Sequence, residues 1–201
     1  MALRRQKPYL FIGSPMCTAF CTWQAFNYAK SSNKAALDRA YARATVHMEF
    51  VAGLCAEQAA AGRYFLREHP SGASSWGLTA VKALQELPGV THVNADQCQY
   101  GATAVSGRRR GGPVKTPTGF FKNSLELARA LGRQCAGGAQ SGQCSRPRGG
   151  EHVPCIGRVA REAAIYPRGR CRGILKGATE QMKADRLLMA GCCRAPPTTP
   201  R

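Results

Sequence analysis

The sequence predicts an α/β fold built on a parallel sheet with helices packed over both of its faces. Three observations carry that expectation. Short β-type apolar runs recur at residues 9–12, 63–66 and 90–95. Segments with helical spacing of apolar residues separate them. The resulting order of strand, helix, strand, helix, strand calls for crossover connections, which pack helices against a parallel sheet.

The first run, Tyr9-Leu10-Phe11-Ile12, ends in a Gly13-Ser14-Pro15 turn and delivers Met16-Cys17 to a loop. Ligands bind at the carboxyl ends of strands in open α/β sheets, so Cys17 is a candidate nucleophile. It is equally one of ten cysteines, a residue type that often packs in cores. Residues 34–61 place Leu37, Tyr41, Met48, Val51, Cys55 and Gln58 on helical spacing, an alanine-rich amphipathic helix that Gly62 ends. The second run stops at Glu68-His69-Pro70, a carboxylate at a strand end followed by a helix breaker. A helix over 76–87 turns Val81, Leu84 and Leu87 inward and closes at Pro88-Gly89. From Asp96 the pattern loosens through Gln97-Cys98-Gln99-Tyr100-Gly101, an arginine-rich loop and residues 114–121, before a helix over 124–131 capped by Asn123 or Ser124. Residues 136–150 are rich in Gly, Ser, Gln and Arg and read as a long loop unless something pins it. Helices are expected over 158–165 and 173–189, and residues 191–201, with Pro196, Pro197 and Pro200, read as a disordered tail.

With 29 Lys+Arg against 11 Asp+Glu and a formal net charge of +18, the chain favours a polyanionic partner, nucleic acid ahead of an anionic membrane surface. Arg108, Arg109, Arg110, Lys115 and Arg158 are the candidate phosphate contacts, with Arg146, Arg148, Arg161, Arg168, Arg170 and Arg172 in the same cationic stretches. The plainer reading of such runs is a solvated loop or helix face. No stretch approaches the roughly 18 apolar residues of a spanning helix, and the run after Arg4, Arg5 and Lys7 is too short for a signal peptide. The expectation is an intracellular, nuclear protein without a membrane segment, whose cysteines are free thiols, metal ligands or a nucleophile. Cys135, Cys144, His152 and Cys155 ring the 132–157 loop as four soft ligands. A structural zinc would order that loop; without one it is a flexible segment with scattered thiols.

The segment Gly13-Ser14-Pro15-Met16-Cys17-Thr18-Ala19-Phe20 resembles the catalytic loop of the cytosine-C5 DNA methyltransferases, Gly-x-Pro-Pro-Cys with Phe-Ser shortly after. Glu68-His69-Pro70 is similar to that family's strand-end Glu-Asn followed by Pro or Val. Cys98-Gln99-Tyr100-Gly101, Lys115-x-Pro117-Thr118-Gly119-Phe120 and Asn123 look like a block of its phage-type and mobile-element-encoded members. Gly149-Gly150-x-His152 and Ala163-Ala164-Ile165-Tyr166-Pro167 look like the ending of the element-borne branch. Met16 stands where the family has its second proline, and His69 where it has Asn.

The resemblance implies a Rossmann-like methyltransferase domain over residues 8–176, followed by a C-terminal helix at 177–190. It implies Cys17 as the nucleophile that adds to C6 of cytosine, Glu68 as the acid that holds the base edge and promotes N3 protonation, and S-adenosylmethionine as methyl donor. The target base would leave its stack to reach them, so DNA is the implied partner. The Phe-x-Gly-x-Gly strand and turn that hold the cofactor in the family are missing before Pro8. The expectation is therefore a partial catalytic domain that is completed by another segment or self-associates. The rival readings are a non-catalytic, zinc-stapled nucleic-acid-binding module of a retrotransposon-type polyprotein and a product without function.

Overall fold

The computed structural model describes residues 2–138 and 142–188. A short helix α1 (Ala2–Gln6) precedes strand β1 (Leu10–Gly13), whose chain passes Cys17 into a single 3-10 turn, Thr18–Phe20. Helix α2 (Gln24–Lys30) occupies part of a stretch whose polarity conceals it. Helix α3 (Lys34–Ala60) starts where the Asn33 side chain accepts from the Ala36 amide at 3.0 Å. Its buried residues Met48, Val51, Ala52, Cys55 and Gln58 repeat at helical spacing, as the sequence leads one to expect. Gly62 follows with φ +66, the left-handed conformation that lets the chain reverse into β2 (Tyr64–Pro70).

A 3-10 turn (Ser74–Gly77) and helix α4 (Thr79–Gln85) lead to β3 (Thr91–Asp96). After a further turn, Gln97–Tyr100, a long connection reaches β4 (Pro117–Lys122), α5 (Leu125–Leu131), α6 (Gly157–Glu162) and α7 (Arg168–Ala184). Helix α7 runs unbroken through position 176, so the C-terminal helix begins at Arg168 rather than at 177. Residues 189–190 and the tail at 191–201 lie outside the described residues.

The strand order is β1-β2-β4-β3. β1 and β2 pair in parallel, while β4 pairs antiparallel with both β2 and β3. The fold is α/β, but its sheet is mixed, not parallel. The expectation fails at β4 alone: β1, β2 and β3 share one direction, and β4 returns against them into the gap between β2 and β3. Periodicity reports that a segment is a strand and says nothing of where a long connection returns it.

Alternation along the strands divides the core in two. Phe65 and Phe121 pack with Met48, Val51, Val81 and Leu84 under α3 and α4. Leu66 and Phe120 pack with Leu127, Leu131 and Ile174 under α5 and α7. Helices therefore cover both faces, and Glu68, two residues beyond Leu66, opens onto the α7 side. β1 is an edge strand, with Ile12 48% exposed. No helix among the described residues is long and apolar enough to cross a membrane.

Candidate thiol-carboxylate pocket and metal centre

Cys17 and Glu68 line one cavity of about 380 Å³ at the carboxyl ends of the parallel pair β1 and β2. Ser14, Met16, His69, Gln97, Thr116, Thr118, Cys155, Tyr166 and Arg170 share the wall. The Glu68 carboxylate is held by three side chains. Ser14 Oγ lies 2.6 Å from Oε2 and Tyr166 OH lies 2.7 Å from the same oxygen, with 2.8 Å between the two hydroxyls. On the other oxygen, Arg170 Nη2 stands 3.4 Å from Oε1.

Arg170 is not the solvated cation its surroundings in the sequence suggest. It is 1% exposed, with Tyr166 3.5 Å and Phe120 4.9 Å from its guanidinium to the ring centroids. Gly169 makes this approach possible, since a Cβ there would meet the Tyr100 carbonyl oxygen. His69 Nδ1 is 2.6 Å from Ser75 Oγ, while its Nε2 has no hydrogen-bond partner among the described residues. Burial first, and then the Arg67 charge, push this imidazole down to about 4, so it is neutral at physiological pH.

Cys17 departs from expectation. The strand-end loop and the basic surroundings lead one to expect a lowered thiol pKa. Instead burial, and then the Glu68 charge, raise it above the ordinary thiol value. The thiolate fraction is accordingly smaller than in a free cysteine at neutral pH. Alkylation of the Cys17 peptide by iodoacetamide is expected to climb about tenfold per pH unit from 7 and to keep climbing beyond pH 9. Glu68→Gln removes the repelling charge and should speed the reaction at pH 8. A plateau below pH 8 in the parent would contradict this picture. Met16, where the resemblance expects a proline, is 71% exposed at the cavity rim.

A second constellation lies beyond β3. Cys98, Cys135, Cys144 and His152 are all buried, and their ligand atoms lie within 4.8 Å of one another. The group could hold a metal ion. Cys155, expected from spacing as the fourth ligand, is not part of it: its Sγ is 3.6 Å from Thr116 Oγ1 and it lines the neighbouring cavity. Cys98 takes that place because the turn after β3 is carried against the 132–157 loop, a juxtaposition that linear spacing does not express. Cys135 Sγ is 3.9 Å from Cys144 Sγ and 3.6 Å from His152 Nε2. A tetrahedral ion with metal–sulfur bonds of about 2.3 Å sets its sulfurs about 3.8 Å apart, so these separations fit.

The supporting groups also fit an ion. His152 Nδ1 donates to the Gly138 carbonyl at 2.9 Å, which leaves Nε2 as the acceptor facing the sulfurs. Cys135 Sγ receives the Ser145 amide at 3.3 Å and the Ser145 hydroxyl at 3.4 Å. Burial works against the Cys135 thiolate, but these Ser145 donors, the Gly137 backbone and Cys98 outweigh it and bring the thiol down to about 6. Burial and the Cys144 charge raise Cys98. Gly137 lets the loop close, because a Cβ there would collide with the Gln143 carbonyl oxygen.

The candidate phosphate contacts are scattered. Arg108, Arg109, Arg110 and Arg158 are exposed, Arg109 pairing with Glu151 at 3.2 Å. Lys115 is turned inward. Its Nζ donates to the Cys135 and Gly137 carbonyls at 3.1 and 2.7 Å, so it ties down the cysteine loop and does not face solvent. Ser14, Gln97, Tyr166 and Arg170 are the site residues that sequence reasoning missed as such. The only local signal for the last two was their placement around the Pro167 start of a helix.

What fold and site define together is an α/β domain with a thiol and a carboxylate in one cavity and a buried Cys3His group beside it. No protein-family model, curated protein or solved structure matches the chain.

Proposed function

We propose that the cavity is a cytosine-capturing site of the C5-methyltransferase type, in a domain stapled by zinc and acting on DNA. One observation carries the reading: Cys17 and the three-way-held Glu68 stand at the ends of adjacent parallel strands and face a common cavity. The Rossmann-like interpretation rests on the shared direction of β1, β2 and β3, with β4 as an antiparallel strand inserted between β2 and β3.

In this reading Cys17 gives up its thiol proton, which reaches N3 by way of the Glu68 carboxyl group, while its sulfur bonds to C6 of an extruded cytosine and the C5=C6 electron pair moves toward N3. Ser14, Tyr166 and Arg170 fix the carboxyl group and stabilise the carboxylate left behind. C5, now enamine-like, accepts an electrophile. When bound, S-adenosylmethionine supplies a methyl cation equivalent at that carbon; the resemblance assigns none of this chain's residues to holding it. Zinc would be held by Cys98, Cys135, Cys144 and His152, all closed protein ligands, and would supply structure rather than chemistry. The exposed Arg108, Arg110 and Arg158 are the proposed phosphate contacts.

The base-capture step can be tested without a methyl donor. Water can protonate C5 of the adduct; loss of the original C5 hydrogen and cleavage of the S–C6 bond then return the base with that hydrogen exchanged. Duplex DNA carrying [5-3H]cytosine is therefore expected to release tritium to water with the parent protein and not with Cys17→Ser. No release by the parent would refute the reading. The second reading, a zinc-stapled nucleic-acid-binding module, is favoured by the exposed Arg108–Arg110 loop, which Arg109 ties to the ligand loop through Glu151 and the His152 carbonyl. It would be left standing by DNA retardation without exchange.

A further inference from the structure

Gln97 is 5% exposed and sits on the cavity wall with Cys17 and Glu68. Its Nε2 donates to Thr118 Oγ1 at 3.0 Å, while its Oε1 is buried without a hydrogen-bond partner among the described residues. The orientation of the amide follows from the network. Thr118 Oγ1 spends its hydrogen on the Thr116 carbonyl at 3.2 Å, so toward Gln97 it can only accept. The amide nitrogen must face Thr118, and the oxygen is left buried without a partner in a side chain that lines the cavity wall. The backbone adds rigidity, since the Gln97 amide donates to the Thr116 carbonyl and the Gln97 carbonyl accepts from Ala102. A buried amide oxygen without a partner is costly, which marks this one as awaiting a donor.

From this geometry, and resting on the cytosine-capture reading above, we infer that Gln97 is a specificity-determining residue that accepts a hydrogen bond from the exocyclic amino group of the captured base. Among the described residues, Gln97 Oε1, His69 Nε2 and Arg170 Nε on the wall have no hydrogen-bond partner, while Arg170 Nη2 stands beside Glu68. Cytosine presents an amino donor beside ring and carbonyl acceptors. Uracil places a carbonyl oxygen where cytosine has the amino group, and would bring two acceptors together. A site built to receive a donor rejects the analogue that lacks it more strongly than an apolar wall does.

The test compares tritium release from duplexes carrying [5-3H]cytosine or [5-3H]uracil at the same position. The parent is expected to favour cytosine by about tenfold or more, the ratio that one unmatched buried acceptor supports. Gln97→Leu should lower the ratio, leaving the part set at N3, which already carries a hydrogen in uracil. Gln97→Glu, similar in size but with a carboxylate facing the base, should raise it by suppressing release from uracil, and it keeps the test open should Gln97→Leu fail to fold. An unchanged ratio in either folded variant, with release still dependent on Cys17, overturns the assignment and leaves the capture reading intact. Absence of release from both duplexes in the parent removes the capture reading, and this inference with it.

Discussion

Cys98→Ser is expected to abolish metal uptake at the buried Cys3His group and melt the connection around it, whereas Cys155→Ser should leave both unchanged. Cys98, Cys135, Cys144 and His152 come from two separate segments, the turn after β3 and the loop before α6, and join at one buried point. Around them the loop has little apolar support: the buried cluster consists of the three cysteines themselves. Apparent binding energies of structural zinc are about 10–16 kcal/mol in small modules, and there the binding energy is folding energy. Loss of one thiolate should therefore cost on the order of 3 kcal/mol or more. For a chain of this length that corresponds to a fall in Tm of about 6–12 °C.

Cobalt substitution reads the ligands directly. The parent and Cys155→Ser are expected to show the same thiolate-to-metal absorption, and Cys98→Ser a weaker, shifted band with fewer sulfurs. A chelator should lower the Tm of the parent and barely move that of Cys98→Ser. Parent protein that takes up no cobalt would sink the metal assignment, and a band lost with Cys155→Ser instead would restore the spacing-based ligand set. Because Gln97 adjoins Cys98, metal removal is also expected to slow base exchange, linking the staple to the cavity wall.

The parts of the site legible in the sequence are those fixed by a few neighbouring residues. An apolar run, a tight turn and a cysteine place Cys17 just past a strand, and Glu68-His69-Pro70 places a carboxylate among the last residues of another; both positions hold. The parts that escaped depend on where long connections return. β4 enters between β2 and β3 only because residues 97–116 loop out and back, and that same excursion brings Cys98 to the 132–157 loop. Arg170 escaped for a different reason. An arginine in a cationic stretch is ordinarily solvated, and its burial here needs rings from β4 and from the residue before Pro167, together with a carboxylate from β2. Lys115 is the converse case, a basic residue whose partners are loop carbonyls and not phosphates.

That environment of Arg170 makes Glu68→Gln the most destabilising conservative change expected in the cavity. Arg170 is 1% exposed on its side chain and Glu68 12%. Neutralising Glu68 leaves a guanidinium between two rings with no anion beside it, and breaking a buried pair from one side costs about 3–5 kcal/mol. The opposite change is milder. In Arg170→Met the carboxylate keeps the Ser14 and Tyr166 hydroxyls at 2.6 and 2.7 Å and borders a cavity that water can enter, so about 1–2 kcal/mol is expected. Met also retains apolar bulk between Phe120 and Tyr166. The double variant should then be more stable than Glu68→Gln alone, because removing the orphaned cation recovers much of the loss. Urea unfolding of the four proteins measures this cycle. Equal and additive losses from the two single changes would mean that the pair is not coupled as its geometry implies. Exchange separates stability from chemistry: if the capture reading holds, Glu68→Gln, alone or combined with Arg170→Met, should release no tritium however well the protein folds, while Arg170→Met alone should retain slow release, since it keeps the carboxyl group proposed to serve N3.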